Sequence, residues 1–123
     1  MATNMIKKIA FTMYPVKDMA KARAFYEGVL GLKCTENYQD SWVEYDLPGG
    51  CFAISTMVEG VSPSATAGGS IAFETADVKK SVEELKAKGV KVKVEPFATP
   101  VCKIAVIFDA DGNAVTLHQL TDV

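Results

Sequence analysis

The sequence offers few side chains of the kinds that carry acid–base, nucleophilic or metal chemistry. His118 is the only histidine, and imidazole is the side chain that most readily moves a proton near neutral pH. The three cysteines, Cys34, Cys51 and Cys102, show no CxxC spacing and no readable Cys–His spacing. Neither a thiolate zinc site, a disulfide framework nor an activated thiol is therefore indicated. We interpret the cysteines as small buried apolar residues of a reduced protein.

Length and composition favour one globular domain over residues 1–123. The chain is 49% hydrophobic and 23% charged, which lies within the range of folded proteins. Thirteen basic and fifteen acidic side chains give a net charge of −2 without charge blocks, so no nucleic-acid partner is expected. No run resembles a signal peptide or a membrane span. We predict a cytoplasmic protein that has no membrane partner.

The elements that would position His118 form an internal repeat. Residues 18–30 and 77–88 each place apolar residues on one helical face, behind an aspartate N-cap and before a glycine stop. The caps are Asp18 and Asp77, and the stops are Gly31 and Gly89. Strand-like runs cover residues 6–14, 32–38, 42–47 and 51–57 in the first half, and residues 70–75, 91–96, 101–109 and 114–119 in the second.

This order, βαβββ followed by βαβββ, predicts an α+β fold of two modules. Module one covers residues 5–57, module two covers residues 70–120, and residues 58–69 form a low-complexity linker. A four-stranded sheet that carries one helix has one covered and one bare face. We therefore expect the bare faces to meet as a curved mixed sheet around a central cleft, either within one chain or between the two chains of a dimer.

Three segments carry a resemblance to a known family. The segments are FTMYPVKDMAKARAFYEGVLGLK, SIAFETADVKKSVEELKAKGVKV and FDADGNAVTLHQ. Their order and spacing resemble the vicinal oxygen chelate superfamily, which contains glyoxalase I, extradiol dioxygenases and bleomycin-resistance proteins. The resemblance spans nearly the whole chain. It implies a pair of βαβββ modules, a homodimer and, in most enzyme members, a divalent metal in the cleft.

The resemblance also places four metal-ligand positions, one on the first and one on the last strand of each module. They fall on Phe11, Ile54, Ser70 and Thr116. Zinc, iron and nickel need imidazole, carboxylate or thiolate donors, and none of these four residues supplies one. We therefore predict no metal and no cofactor of the family type.

Strand alternation then predicts what lines the cleft. If those four positions point inward, Met13, Phe52, Glu74 and His118 share their face. A neutral imidazole beside a carboxylate can exchange protons near neutral pH, so His118 and Glu74 are the catalytic candidates, with solvated surface residues as the alternative. Trp42 either stacks on a planar ligand or fills the core or a dimer contact. The predicted ligand-binding set is Phe11, Met13, Trp42, Phe52, Ile54, Ser70, Thr116 and His118.

These observations favour a metal-free protein that resembles bleomycin-resistance members and holds a small hydrophobic or aromatic molecule in the inter-module cleft. Three alternatives remain open. One is a glyoxalase-like lyase or dioxygenase-like enzyme with a relocated metal site, and another is a metal-free acid–base enzyme that uses His118 and Glu74. The third is a subunit whose cleft is filled by Phe11, Met13 and Phe52.

Overall fold

Two βαβββ modules make up the fold, as the repeat predicts. The computed structural model describes residues 9–57, 62–66, 71–100 and 102–121. The first module contains β1 (Thr12–Pro15), α1 (Met19–Arg23), a π-helix (Ala24–Val29), β2 (Glu36–Tyr38), β3 (Trp42–Leu47) and β4 (Gly50–Ser55). The second contains β5 (Ile71–Glu74), α2 (Val78–Ala87), β6 (Val92–Ala98), β7 (Cys102–Phe108) and β8 (Ala114–Leu120).

Each module forms its own four-stranded mixed sheet. The strand orders are β1-β4-β3-β2 and β5-β8-β7-β6. The first strand of each module runs parallel to the last, and the other neighbours are antiparallel. Both first strands therefore lie at a sheet edge. None of the helices among the described residues is long and apolar enough to cross a membrane.

The helix boundaries follow the predicted signals at their ends. Asp18 and Asp77 accept hydrogen bonds from Lys21 N and Lys80 N, each three residues into its helix, which satisfies an otherwise unpaired helical N–H. After both helices a glycine takes a positive φ, which leaves the helical conformation at little steric cost. These glycines are Gly31 and Gly89, with φ values of 77° and 86°.

The first helix differs from the predicted continuous α-helix. After Arg23 it widens into the π-helix, where Leu30 N donates to Phe25 O at 2.9 Å. Leu32 N likewise donates to Tyr26 O at 2.9 Å, so the chain stays attached to the helix end beyond Gly31. The second strand consequently begins at Glu36 rather than at residue 32.

One continuous hydrophobic core joins the modules through their helix-covered faces. Its buried members come from both sheets and both helical segments, and the rings of Phe52 and Phe73 meet at 5.7 Å. Tyr14 Oη accepts a hydrogen bond from Ile71 N and donates one to Ala114 O. A short helix covers only part of a four-stranded sheet, so the remaining apolar surface is buried against the other module. Within one chain, therefore, it is the helix-covered faces that meet, and the bare faces do not.

Strand register assigns each residue to a face. In module two, Ala72 pairs with Thr116 and Glu74 with His118, so these residues share the bare face, which we call the open face. In module one the predicted alternation was right for β1 but wrong by one residue for β4. Thr12 pairs with Phe52 and Tyr14 with Ile54, which places Phe52 and Ile54 on the helix-covered face. A one-residue slip moves every side chain of a strand to the opposite face.

Candidate functional site

A cavity of about 650 Å³ lies between the modules, where the sequence predicts one. Edge strand β5 forms one wall, and the β3–β4 turn with the segment after the first helix forms another. Its described lining consists of Thr12, Leu30, Leu32, Leu47, Pro48, Gly49, Gly50, Cys51, Phe52, Ile71, Ala72, Phe73, Glu74, Thr75 and Leu117. The volume lies within the range of about 300–1,000 Å³ that is typical of small-molecule sites.

Apolar side chains dominate this lining because the cavity opens mainly into the helix-covered side of both sheets, while edge strand β5 also contributes the open-face residues Ala72 and Glu74. Phe52 and Leu117 are almost wholly buried, while Leu30, Leu32 and Ile71 pack partly exposed against the core. The polar residues of the lining are few and include Thr12, Glu74 and Thr75. Such a cavity binds a guest mainly by removing apolar surface from water.

The structure distributes the predicted ligand-binding residues over several places. Phe52 lines the cavity, although from the helix-covered face rather than from the predicted one. Ile54 is fully buried in the core. Ser70 lies outside the described residues. The open-face members of the set are not among the described lining residues: Phe11, Met13, Trp42, Thr116 and His118.

Sequence reasoning missed the aliphatic wall of the cavity. Leu30 and Leu32 read as the end of a helix and the start of a strand, and Phe73 reads as packing beneath a helix. The available signal was the number of large apolar residues on the helix-covered side, which exceeds what one short helix can bury. That excess predicts a contact between the modules, and therefore a cavity wherever the contact is incomplete.

The structure brings His118 and Glu74 together at the edge of module two. His118 Nδ1 lies 2.6 Å from Glu74 Oε1, and Leu120 N donates to Glu74 Oε2 at 2.7 Å. These bonds, that of His118 first, lower the pKa of Glu74. An ionised carboxylate only accepts hydrogen bonds, so Nδ1 carries the hydrogen. In the neutral imidazole, Nε2 then remains available to accept a proton.

The open face of module one carries an aromatic contact. Phe11 and Trp42 meet edge to face, with ring centroids 5.0 Å apart. Trp42 Nε1 donates to Glu44 Oε2 at 2.8 Å, which fixes the indole plane. Met13 lies on the same face, opposite Ala53. These side chains present a largely apolar, half-exposed surface.

The family-type metal positions do not fit a metal. Phe11 and Thr116 provide no imidazole, carboxylate or thiolate. The corrected register replaces Ile54 on the open face with Ala53 and Ser55. Ala53 has no donor atom, and the Ser55 hydroxyl already donates to Ser41 O at 3.0 Å. No step through a metal at these positions follows from the structure.

A different group of possible metal ligands lies on strands β3 and β4. One donor atom each from Glu44, Asp46 and Cys51 lies within 4.8 Å of the others. Burial, followed by the neighbouring carboxylates, raises the pKa of the Cys51 thiol to about 11. The thiol is therefore protonated at neutral pH and is a poor nucleophile.

Comparison with known proteins identifies the family of the chain. Residues 8–117 match the model of the Glyoxalase/Bleomycin resistance protein/Dioxygenase superfamily. No curated protein matches the chain. A superfamily member from Sphaerobacter thermophilus DSM 20745 is 25% identical with a TM-score of 0.77, covering 94% of this chain and 99% of that one.

Two further solved structures share the fold at lower identity. TnmS3, an antibiotic binding protein from Streptomyces sp. CB03234, is 22% identical with a TM-score of 0.79, and the match covers 97% of this chain and 100% of that one. A glyoxalase/dioxygenase from Nostoc punctiforme is 17% identical with a TM-score of 0.80, and the match covers 99% and 97%.

Proposed function

The chain belongs to the Glyoxalase/Bleomycin resistance protein/Dioxygenase superfamily, and from this premise we propose that it binds a small hydrophobic or aromatic molecule between its modules without a family-type metal. The observation that carries the proposal is the 650 Å³ cavity with its aliphatic and aromatic wall. TnmS3, the antibiotic binding protein of the same fold, adds support, since antibiotics are small molecules.

Two neighbouring residues provide a matched test of this site. Leu30 lines the cavity, whereas Val29, also partly buried, is not among its described lining residues. We expect Leu30→Gln to weaken binding of anthracenylmethanol, a neutral aromatic probe, by roughly five- to tenfold, because an aliphatic contact worth about 1 kcal/mol is lost. Val29→Gln should leave the affinity unchanged. Equal affinities in both variants and the parent would place the probe elsewhere.

We also propose that the protein is a homodimer that covers the open faces. Large apolar side chains are exposed on both sheets, among them Tyr38 on the first and Phe97 and Leu120 on the second. A self-complementary pairing of two copies would remove this surface from water. In that assembly Phe11, Met13, Trp42, Thr116 and His118 would line the space between copies and could contact a ligand there.

A cytoplasmic location is part of the same proposal. Cys34, Cys51 and Cys102 are unpaired thiols, and free thiols are typical of a reducing compartment.

A metal-dependent enzyme is the second candidate, favoured by the cluster of Glu44, Asp46 and Cys51. Tetrahedral zinc accepts a thiolate with carboxylates and leaves a position for substrate. Its test is calorimetric titration with zinc alone. This candidate requires one bound zinc per chain in the parent and none in Cys51→Ser. Cys34→Ser is the control and should bind zinc like the parent. Absence of zinc binding in the parent would exclude this candidate.

Acid–base catalysis is favoured by the 2.6 Å contact between His118 and Glu74. Proton abstraction next to a carbonyl would appear as deuterium uptake at carbon when hydroxyacetone is incubated with the protein in heavy water. Catalysed uptake that disappears in His118→Gln would support this role. Uptake equal to that in buffer alone would count against it for this substrate class.

A further inference from the structure

A second cavity, of about 520 Å³, lies at another part of the junction between the modules. Its described lining residues come from the π-helix of module one and from the segments 88–91 and 108–112 of module two. None of them belongs to the described lining of the inter-module cavity. The volume of this second cavity also falls within the range of about 300–1,000 Å³ that is typical of small-molecule sites.

Apolar residues form one part of this lining. Phe25 and Val29 belong to the π-helix, and Phe108 is the last residue of β7. Val29, Val90 and Phe108 are each partly exposed, so apolar surface remains for a guest to cover. Short π-helical turns are frequent at functional sites, and here such a turn forms one wall of the cavity.

Among the described lining residues, the exposed charged ones are both lysines, Lys88 and Lys91. Lys88 Nζ donates to Val29 O at 3.4 Å. Its ammonium therefore reaches from module two to the π-helix and lies at the wall of the cavity. An ammonium carries three hydrogens, so one hydrogen bond to a carbonyl leaves donors for a guest.

Asp109 is the one acidic residue of the described lining, and its carboxylate already has partners on both oxygens. Oδ2 accepts hydrogen bonds from Tyr26 Oη and Asn113 Nδ2, and Oδ1 accepts from the backbone N atoms of Asp111 and Asn113. The residue is only 7% exposed. The four donors offset the negative charge, and a guest therefore meets the lysines rather than this carboxylate.

We propose that the second cavity is a binding site for small apolar anions, such as a carboxylate attached to an aromatic body. The aromatic body packs against the π-helix and Phe108, and the carboxylate accepts a charge-assisted hydrogen bond from Lys88. Lys91 adds a second positive charge at the same cavity. This site is separate from the one in the proposed function, so either can bind its guest without the other.

Two adjacent residues allow the two sites to be tested separately. Val29 lines the second cavity, whereas Leu30 lines the inter-module cavity. We expect calorimetric titration with anthracenecarboxylate at low ionic strength to show binding that Lys88→Gln weakens by about fivefold, the upper end for an exposed ion pair. Val29→Gln should also weaken this binding, because an apolar contact is lost. Leu30→Gln should leave it unchanged.

The matched control is Lys79→Gln, which removes the same charge from an exposed position on α2 and should bind the carboxylate like the parent. Lys88→Arg retains the charge and should do the same. If Val29→Gln proves unstable, added salt supplies a second measurement, because screening should weaken binding of the carboxylate to the parent.

Absence of binding by the carboxylate, or equal affinity in Lys88→Gln and the parent, would overturn the second site. Weaker binding in Leu30→Gln alone would place the carboxylate in the inter-module cavity. That result would overturn the second site and leave the proposed function intact.

Discussion

At the scale of single residues, the two modules are joined by buried polar contacts. Tyr26 Oη donates to Asp109 Oδ2 at 2.8 Å, and Asn113 Nδ2 donates to the same oxygen at 2.9 Å. Asn113 also reaches Pro15 O in the other module. Burial, followed by the charge of Asp109, raises the pKa of Tyr26, so its hydroxyl remains a donor.

Tyr26→Phe should destabilise the protein, because Asp109 loses a buried donor without loss of the ring. We expect urea unfolding to show a decrease of about 1–3 kcal/mol in the free energy of unfolding. Tyr38→Phe, at an exposed position, serves as the control and should change little. Equal stability of the two variants would show that the buried hydroxyl contributes nothing.

A second contact predicts a pH dependence of stability. Arg23 makes two hydrogen bonds to the Glu27 carboxylate, and Tyr45 Oη donates a third. The Arg23 hydrogen bond, followed by that of Tyr45, lowers the pKa of Glu27. A carboxyl whose folded-state pKa is lowered contributes stability above its unfolded pKa, and this contribution is lost as pH falls through the folded value.

Glu27→Gln should therefore reduce the free energy of unfolding at pH 7, and the difference from the parent should shrink on acidification to about pH 3. Urea unfolding of both proteins between pH 7 and about pH 3 measures this difference in the free energy of unfolding. Glu83→Gln is the control for a general charge effect. A penalty that stays constant with pH would show that charge on Glu27 is not the cause.

At the scale of elements, the sequence predicted correctly those features that depend on neighbouring residues in the chain. The eight strands, both aspartate caps and both glycine stops were predictable, because each depends on a few adjacent residues. The π-helix was not, since its wider turn depends on how Phe25 and Tyr26 pack in the core. The faces of Phe52 and Ile54 were predicted wrongly. Alternation shows which residues of a strand share a face but not which face of the sheet that is. The family resemblance had placed a ligand position on Ile54, and this put Ile54 on the bare face.

The N-cap of α2 permits a direct test at this scale. Asp77→Ala removes the acceptor for Lys80 N, and we expect it to lower the free energy of unfolding by about 1 kcal/mol. Asp77→Ser retains an acceptor and should recover most of that loss. Thermal or urea unfolding of the parent, Asp77→Ala and Asp77→Ser measures these differences. An equal decrease in the free energy of unfolding in both variants would contradict a capping role.

At the scale of the whole molecule, the modules share a core through their helix-covered faces and leave their open faces uncovered in the single chain. Sequence reasoning predicted a cavity lined by the bare faces, whereas the cavity that the structure shows within one chain is lined mainly from the helix-covered faces. How the modules pair depends on the total apolar surface of each face, which alternation within one strand does not reveal. The shared core explains why the cavity wall is aliphatic and why His118 lies outside it.

The exposed apolar side chains of the open faces predict that the protein is a dimer in solution. Light scattering coupled to gel filtration should give about twice the chain mass of 13.2 kDa. Phe97→Lys places a charge on an exposed apolar position of the open face and should shift the protein towards monomer. Ala20→Lys, an exposed change on α1, should leave the dimer intact. A parent protein of single-chain mass would contradict the dimer.

The central claim is that the inter-module cavity holds an apolar guest without a metal. The most direct measurement is calorimetric titration of anthracenylmethanol into the parent protein and Leu30→Gln, each with a chelator and with added zinc. We predict one site per chain, equal affinity with chelator and with zinc, and weaker binding in Leu30→Gln. Binding that requires zinc, or that is unaffected by Leu30→Gln, would contradict the claim.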